Sequence, residues 1–175
     1  GVSLQTLKFR TLQADFPYVK GDVIDAAVGL EPNEYLGQLR VSVLLKNIKL
    51  HDMVEDDLFV SMRDFSMLMR GKSEGFDASL LVPQRETTAK VYRYIRSVGR
   101  WNYDTETLCH RLDFWAEDYG QVAVSVEAML EMGILIRDEN GGLSAPKTSE
   151  KVNLQDAPVL KRLRQHLTTG ECKLP

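Results

Sequence analysis

Apolar and polar residues alternate through the first fifty positions and then switch to a helical spacing. Leu7 and Phe9 fall on one side with Lys8 and Arg10 on the other, the two-residue period of a half-buried strand. Ile24, Ala26, Val28 and Leu30 repeat it, and a turn is predicted through Glu31-Pro32-Asn33-Glu34-Tyr35-Leu36-Gly37, where Pro ends pairing and Asn and Gly tolerate positive φ. Val41, Val43 and Leu45 then alternate with Arg40, Ser42 and Lys46, so the second and third strands should form a hairpin. The chain starts at Gly1 in what reads as the middle of a sheet, because three strands leave an open edge and an unmatched apolar face. The expectation is a piece of a longer protein, one that self-associates through the incomplete sheet or covers it with the next helix.

From residue 51 the period changes. Leu58, Met62, Phe65 and Met69 recur at helical spacing behind Glu55-Asp56-Asp57, and Arg70-Gly71 closes the run. The methionine-rich face reads as packing or as a partner groove. Lys72-Ser73-Glu74-Gly75-Phe76-Asp77 has linker composition, which sets three regions: 1–51 as strands, 52–77 as bridging helix and linker, and 78–175 as a second domain. In that domain the spacing predicts helices over 85–98, over 105–112 with Asp104 as N-cap, and over 121–132. Arg100-Trp101-Asn102-Tyr103 is a short extended piece, and Ile134 to Ala145 a hairpin turning at Asp138-Glu139-Asn140-Gly141-Gly142. A last helix starts near Pro158. This order is that of a winged helix-turn-helix domain.

Two stretches carry a family resemblance. Glu31, Asn33, Tyr35, Gly37 and Lys46-Asn47-Ile48 resemble the end of the OB-fold domain of RecJ, the bacterial single-stranded-DNA-specific exonuclease. Leu81-Val82-Pro83-Gln84-Arg85-Glu86 with Val91-Tyr92-Arg93, Met129 to Leu135 and Lys151 to Asp156 resemble the C-terminal extension of RecJ proteins from Firmicutes-type bacteria. The resemblance implies an α+β chain: a partial OB-fold β-sheet, then a helix and a winged helix-turn-helix domain. It also implies a parent enzyme that degrades single-stranded DNA from the 5′ end in DNA recombination and repair, a hydrolase using Mn or Mg held in upstream catalytic domains.

Candidate chemistry within the chain is sparse. The histidines His51, His110 and His166 are widely separated, and the one with an adjacent acid, His51-Asp52, directs the two side chains apart in regular structure. Glu55-Asp56-Asp57 lacks the spaced ligands of a calcium loop, and Cys109 and Cys172 have no metal-ligand spacing. No catalytic or metal-binding residue is expected here, and no cofactor. At 175 residues with 43% hydrophobic and 27% charged residues the chain is ordinary for a globular protein, with no run near the ~20 apolar residues of a membrane span, so a cytoplasmic location is expected. A net charge of −3 argues against a general coat for nucleic acid, so any DNA contact is local.

Two sets of residues stand out for binding. Lys8, Arg10, Tyr35, Arg40 and Lys46 are candidates for a single-stranded-DNA surface, which combines cations with aromatic platforms. Arg85, Arg93, Arg96 and Arg100 fall on one side of the first helix of the second domain, opposite Val91 and Ile95. That stripe is either a solvated face or a dock for phosphate or an acidic peptide. The RecJ resemblance suggests the acidic tail of the single-stranded DNA-binding protein as its partner. The 121–132 helix should put Val122, Val126, Met129 and Leu130 in the core and Val124, Glu127 and Glu131 outside, a poor reader of duplex DNA. The alternative function is a winged-helix interaction module unrelated to nucleolysis.

Overall fold

The computed structural model describes residues 1–13, 16–35, 37–51, 55–147 and 152–171, with the backbone alone at Tyr35, Glu55 and 169–171. The chain is mixed α+β and divides into two units, Gly1–Met53 and Val54–Pro175.

The first unit is a three-stranded sheet of β1 (Thr6–Leu7), β2 (Ile24–Tyr35) and β3 (Gln38–Leu50), in the order β1-β3-β2. The hairpin is as expected, with β2 antiparallel to β3 from Ile24↔Leu50 to Tyr35↔Gln38, but its turn is much shorter than the sequence suggests. Positions 36–37 alone join the strands, with Gly37 at φ +71. Pro32 therefore lies inside β2, opposite Val41. Counting from the closing pair Tyr35↔Gln38, Pro32↔Val41 is a non-hydrogen-bonded position, and the proline nitrogen faces the open edge of an outer strand. The ladder loses no bond there.

The first strand is also shorter than the alternation implies. Only Thr6 and Leu7 pair, in parallel with Val43 and Leu44, and Phe9 is left exposed. β3 is the middle strand, and its consecutive residues Val43 and Leu44 are both buried, although they point to opposite faces. A bulge where Ala27↔Asn47 gives way to Val28↔Leu45 further breaks the simple alternation.

The second unit holds α1 (Glu55–Met69), α2 (Arg85–Val98), α3 (Thr105–Arg111), α4 (Tyr119–Glu131), the hairpin β4 (Ile136–Arg137) and β5 (Leu143–Ser144), and α5 (Pro158–Glu171). The helix boundaries lie within a few residues of the sequence expectations, and Asp104 caps α3 by accepting the Thr107 N–H at 2.7 Å. Trp101 exchanges backbone hydrogen bonds with Leu143, adding a single bridge to the β4–β5 hairpin.

α1 does not stand apart as a bridge. Its Leu68 sits in one core with Leu81, Val124, Ala128, Val159 and Leu163, and Phe65, Met69 and Phe76 pack on it. The expected linker 72–77 is thus a connection within one unit, anchored where the Asp77 N–H reaches the buried carboxylate of Asp64 at 3.3 Å. Arg63 neutralises that carboxylate through Nε and Nη2 at 2.9 and 2.7 Å.

α4 runs through the middle of this unit, packed by α1, α2, α3 and α5. Val122 through Val126 are all buried. Val124, which the sequence pattern puts outside, is fully buried, and Leu130 is only half-buried. A helix apolar on nearly every side has no single core face, so the two-sided reading of α4 fails for a physical reason. Its start comes so close to neighbouring elements that a Cβ on Gly120 would lie 2.3 Å from Leu81 Cδ2. Ser61 closes that contact, donating to the Glu117 carbonyl at 3.1 Å and accepting the Gly120 N–H at 2.7 Å.

Candidate functional site

The turn after β1 gathers the chemistry of the first unit. Arg10 takes φ +58, a left-handed conformation that costs a non-glycine residue about 1 kcal/mol and turns the chain back beside the sheet. Lys8 and Arg10 then line a hollow of about 350 Å³ with Phe16, Tyr18, Asn47 and Ile48. The Tyr18 hydroxyl donates to the Ile48 carbonyl at 3.1 Å, which ties the aromatic pair to β3. The Phe16 and Tyr18 rings meet edge to face, 5.4 Å between centroids, and both are half-buried. Two cations beside two fixed rings can pair with phosphate and present a face or edge to a base.

Of the five residues proposed for this surface, Lys8 and Arg10 come together and the others do not. Lys46 lies across Gly29, where an added Cβ would come within 2.9 Å of its Cε, and it lies outside the lining of the hollow. Arg40 is near the hairpin tip, roughly 20 Å along β3 from Lys46 at strand spacing, and donates to Gln38 Oε1 at 3.2 Å. Tyr35 ends β2 at the same tip, and its side chain lies outside the described residues. Phe16, Tyr18 and Asn47 were missed. The cue was present in Phe16-Pro17-Tyr18 following Lys8 and Arg10, but only the pairing of the chain with β3 brings Asn47 and Ile48 to them.

The arginine stripe is shorter than its helical projection implies. Arg85, Arg93 and Arg96 are exposed on α2, and among the described residues none has a carboxylate partner; Arg93 Nε donates to the Ala89 carbonyl of its own helix at 3.2 Å. Arg100 lies past the helix end, beyond Gly99 at φ +79, and its Nη2 sits 2.7 Å from Asp138 Oδ2 in the β4–β5 turn. It belongs to the hairpin.

The acidic face expected on α4 is not there either. Glu127 is half-buried, and Glu131 accepts the Val159 N–H at 2.7 Å and Arg162 Nη2 at 3.3 Å, so it caps α5. Of the two acids α4 therefore leaves only the half-buried Glu127 toward solvent, and the helix has no exposed reading face.

The histidines lie on separate elements, His51 just after β3, His110 on α3 and His166 on α5. His51 Nδ1 lies 2.9 Å from Asp25 Oδ1 across the open end of the hairpin, with Lys49 Nζ 3.8 Å from the other oxygen; Asp52 is outside the described residues. The hydrogen bond from His51, with its charge and that of Lys49, holds the Asp25 carboxyl below the usual aspartate range. His166 packs on the Phe76 ring at 5.2 Å. Among the described residues no cluster of three or more His, Cys, Asp or Glu could hold a metal. Cys109 is buried, and desolvation first, then the acids Asp118, Glu106 and Asp104, push its thiol up to about 12. That thiol stays protonated and unreactive at neutral pH. Cys172 lies outside the described residues. Among the described residues no helix is long and apolar enough to cross a membrane. The chain matches no family model, no curated protein and no solved structure.

Proposed function

We propose that this chain is a non-catalytic, ligand-holding part of a RecJ-like 5′ to 3′ single-stranded-DNA exonuclease, and that its first unit contacts the single strand. The observation that carries this reading is the hollow where Lys8 and Arg10 stand beside Phe16 and Tyr18. Cations spaced with aromatic rings at a sheet edge suit a strand whose bases are unpaired, and the hairpin is compatible with the end of an OB-fold. The Mn or Mg of such an enzyme would be held by its other domains.

A fluorescein-labelled oligothymidylate titrated into the chain at low salt tests the proposal. Binding should weaken at least tenfold in Lys8→Glu/Arg10→Glu and respond little to Arg40→Glu. With two phosphates neutralised, the slope of log K against log salt should be about −1.4 for a single strand. No binding by the wild type, or equal binding by the double variant, would falsify it.

A second reading has an observation of its own. The order α2, bridge at Trp101, α3, α4 and β4–β5 hairpin fits a winged helix, yet α4, where a recognition helix would be, is buried on nearly all sides. We infer that residues 78–175, read as a winged helix, serve as an interaction module and not as a duplex reader. Sequence-specific duplex binding at physiological salt would count against this.

A further inference from the structure

α1 meets two short 3-10 turns, Ala78–Leu81 and Ala116–Asp118, around a cleft of about 110 Å³. Hydrogen bonds fix its walls. Ser61 of α1 holds the second turn by donating to the Glu117 carbonyl at 3.1 Å, and Asp77 caps the first by accepting the Ser79 N–H at 2.9 Å. Leu81 is the buried part of the lining, while Val60 and Leu80 line the cleft and stay 42% and 54% exposed. Three carboxylates line it as well, and they are not equivalent. Asp64 is buried and taken up by Arg63 and the Asp77 N–H. Asp57 and Glu117 are exposed, and among the described residues neither side chain meets a cation or accepts a hydrogen bond. Trp115, two residues before Glu117, is 71% exposed.

We propose that this cleft docks an arginine side chain from a basic segment of a partner protein, its stem on Val60 and Leu80 and its guanidinium on Asp57 and Glu117. Carboxylates alone would attract any cation. A long stem of methylenes is what covers Val60 and Leu80, and arginine buries that stem while its planar fork pairs with carboxylate through two hydrogen bonds. Residues flanking the arginine would meet Trp115, a side chain that supplies large contact area in protein interfaces and whose ring face attracts a second cation. A nucleic acid is the wrong occupant, because the two uncompensated carboxylates repel phosphate. The cleft lies within residues 54–175 and needs neither the strand-binding hollow of the first unit nor the winged-helix reading, so each can fail without the others.

The test uses the full chain and a fluorescein-labelled peptide of arginine, leucine and glycine, followed by fluorescence anisotropy. One control peptide replaces every arginine by citrulline, which keeps the shape and loses the charge; another uses diaminobutyrate, which keeps a cation on a shorter stem. The arginine peptide should bind, and both controls should bind more weakly by about tenfold or more. Asp57→Asn/Glu117→Gln, on exposed side chains with no partner to lose among the described residues, should weaken binding by a similar factor. Leu80→Arg, which places a cation in the cleft from within the chain, should do the same, with circular dichroism verifying intact helices; if that variant unfolds, the carboxylate pair decides alone. Glu139→Gln, an exposed acid in the β4–β5 turn, controls for net charge and should bind as wild type does. The proposal is overturned if the wild type does not bind the arginine peptide, if it binds either control peptide as tightly, if Asp57→Asn/Glu117→Gln binds as wild type does, or if Glu139→Gln weakens binding as much as that pair.

Discussion

In residues 54–175 apolar side chains from four helices converge on α4, whereas in residues 1–53 a hairpin of twelve and thirteen residues carries its apolar side chains largely on the surface. Leu163 and Val124 illustrate the first case, at 2% and 0% exposed; Leu39 and Val41 illustrate the second, at 76% and 62%. The same residue types thus have different roles. In the second unit burial removes apolar area from water at about 25 cal/mol per Å², while in the first the backbone ladder between β2 and β3 sets the architecture. Mutational sensitivity should therefore track burial and shared contacts, not hydrophobicity as read from sequence.

The largest effect should come from the shared core of the second unit. Leu163→Ala removes a side chain packed among residues of α1, α4 and α5 and should lower stability by about 2–5 kcal/mol in urea denaturation. The matching change on the sheet, Val41→Thr, should stay within about 0.5 kcal/mol of wild type. Equal losses at the two positions would erase the contrast.

Gly120→Ala comes next. The added methyl would fall against Leu81 and near the Ser61 hydroxyl, and the overpacking should cost about 1–3 kcal/mol, although alanine is the better helix former by propensity. A gain in melting temperature would show that α1 and the start of α4 are not in close contact.

Glu131→Ala should cost about 1–2 kcal/mol by leaving the Val159 N–H and Arg162 without their acceptor. Glu127→Ala, which loses no side-chain hydrogen bond among the described residues, is the control and should be nearly silent. If the two variants behave alike, Glu131 is a surface acid after all.

The smallest effect belongs to Asp25 at the open end of the hairpin. Its carboxyl is held low mainly by the hydrogen bond from His51, so the stabilisation is present above the ordinary aspartate pKa of ~3.9 and is lost as pH falls through the lowered value. His51→Ala should move the Asp25 titration, followed by NMR, back up toward the ordinary range. An unchanged titration would mean that Lys49 alone sets it.

The helices of the second unit were legible because their signals are local. Asp104 at a cap, Gly99 and Gly133 at helix ends, and Asp138 to Gly142 at a turn act within a few residues of themselves. The hairpin of the first unit was legible too, since two-residue alternation is the period of an extended strand whether or not the face it marks is covered. Its turn was misjudged because Pro32 and Asn33 carry turn composition. Whether a proline ends a strand depends on which side of it has a neighbour, and no local pattern records that β2 is an outer strand.

The candidate site divides in the same way. Cations and aromatic residues could be picked out by type, and the structure brings Lys8 and Arg10 to one hollow, but the rings beside them are set by a hydrogen bond from Tyr18 to Ile48, thirty positions away. Helical projection placed Arg100 on the α2 stripe, yet Gly99 ends the helix and delivers Arg100 to Asp138 instead. Glu131 had the composition of a solvent face, and only the approach of α5 turns it into a cap. By itself, then, the amino-acid sequence determined the identity and approximate limits of the elements, through periods and caps that are properties of neighbouring residues. Tertiary structure alone decided which faces are covered, which charges are partnered and which side chains share a hollow, because burial and pairing depend on distances between residues far apart in the chain.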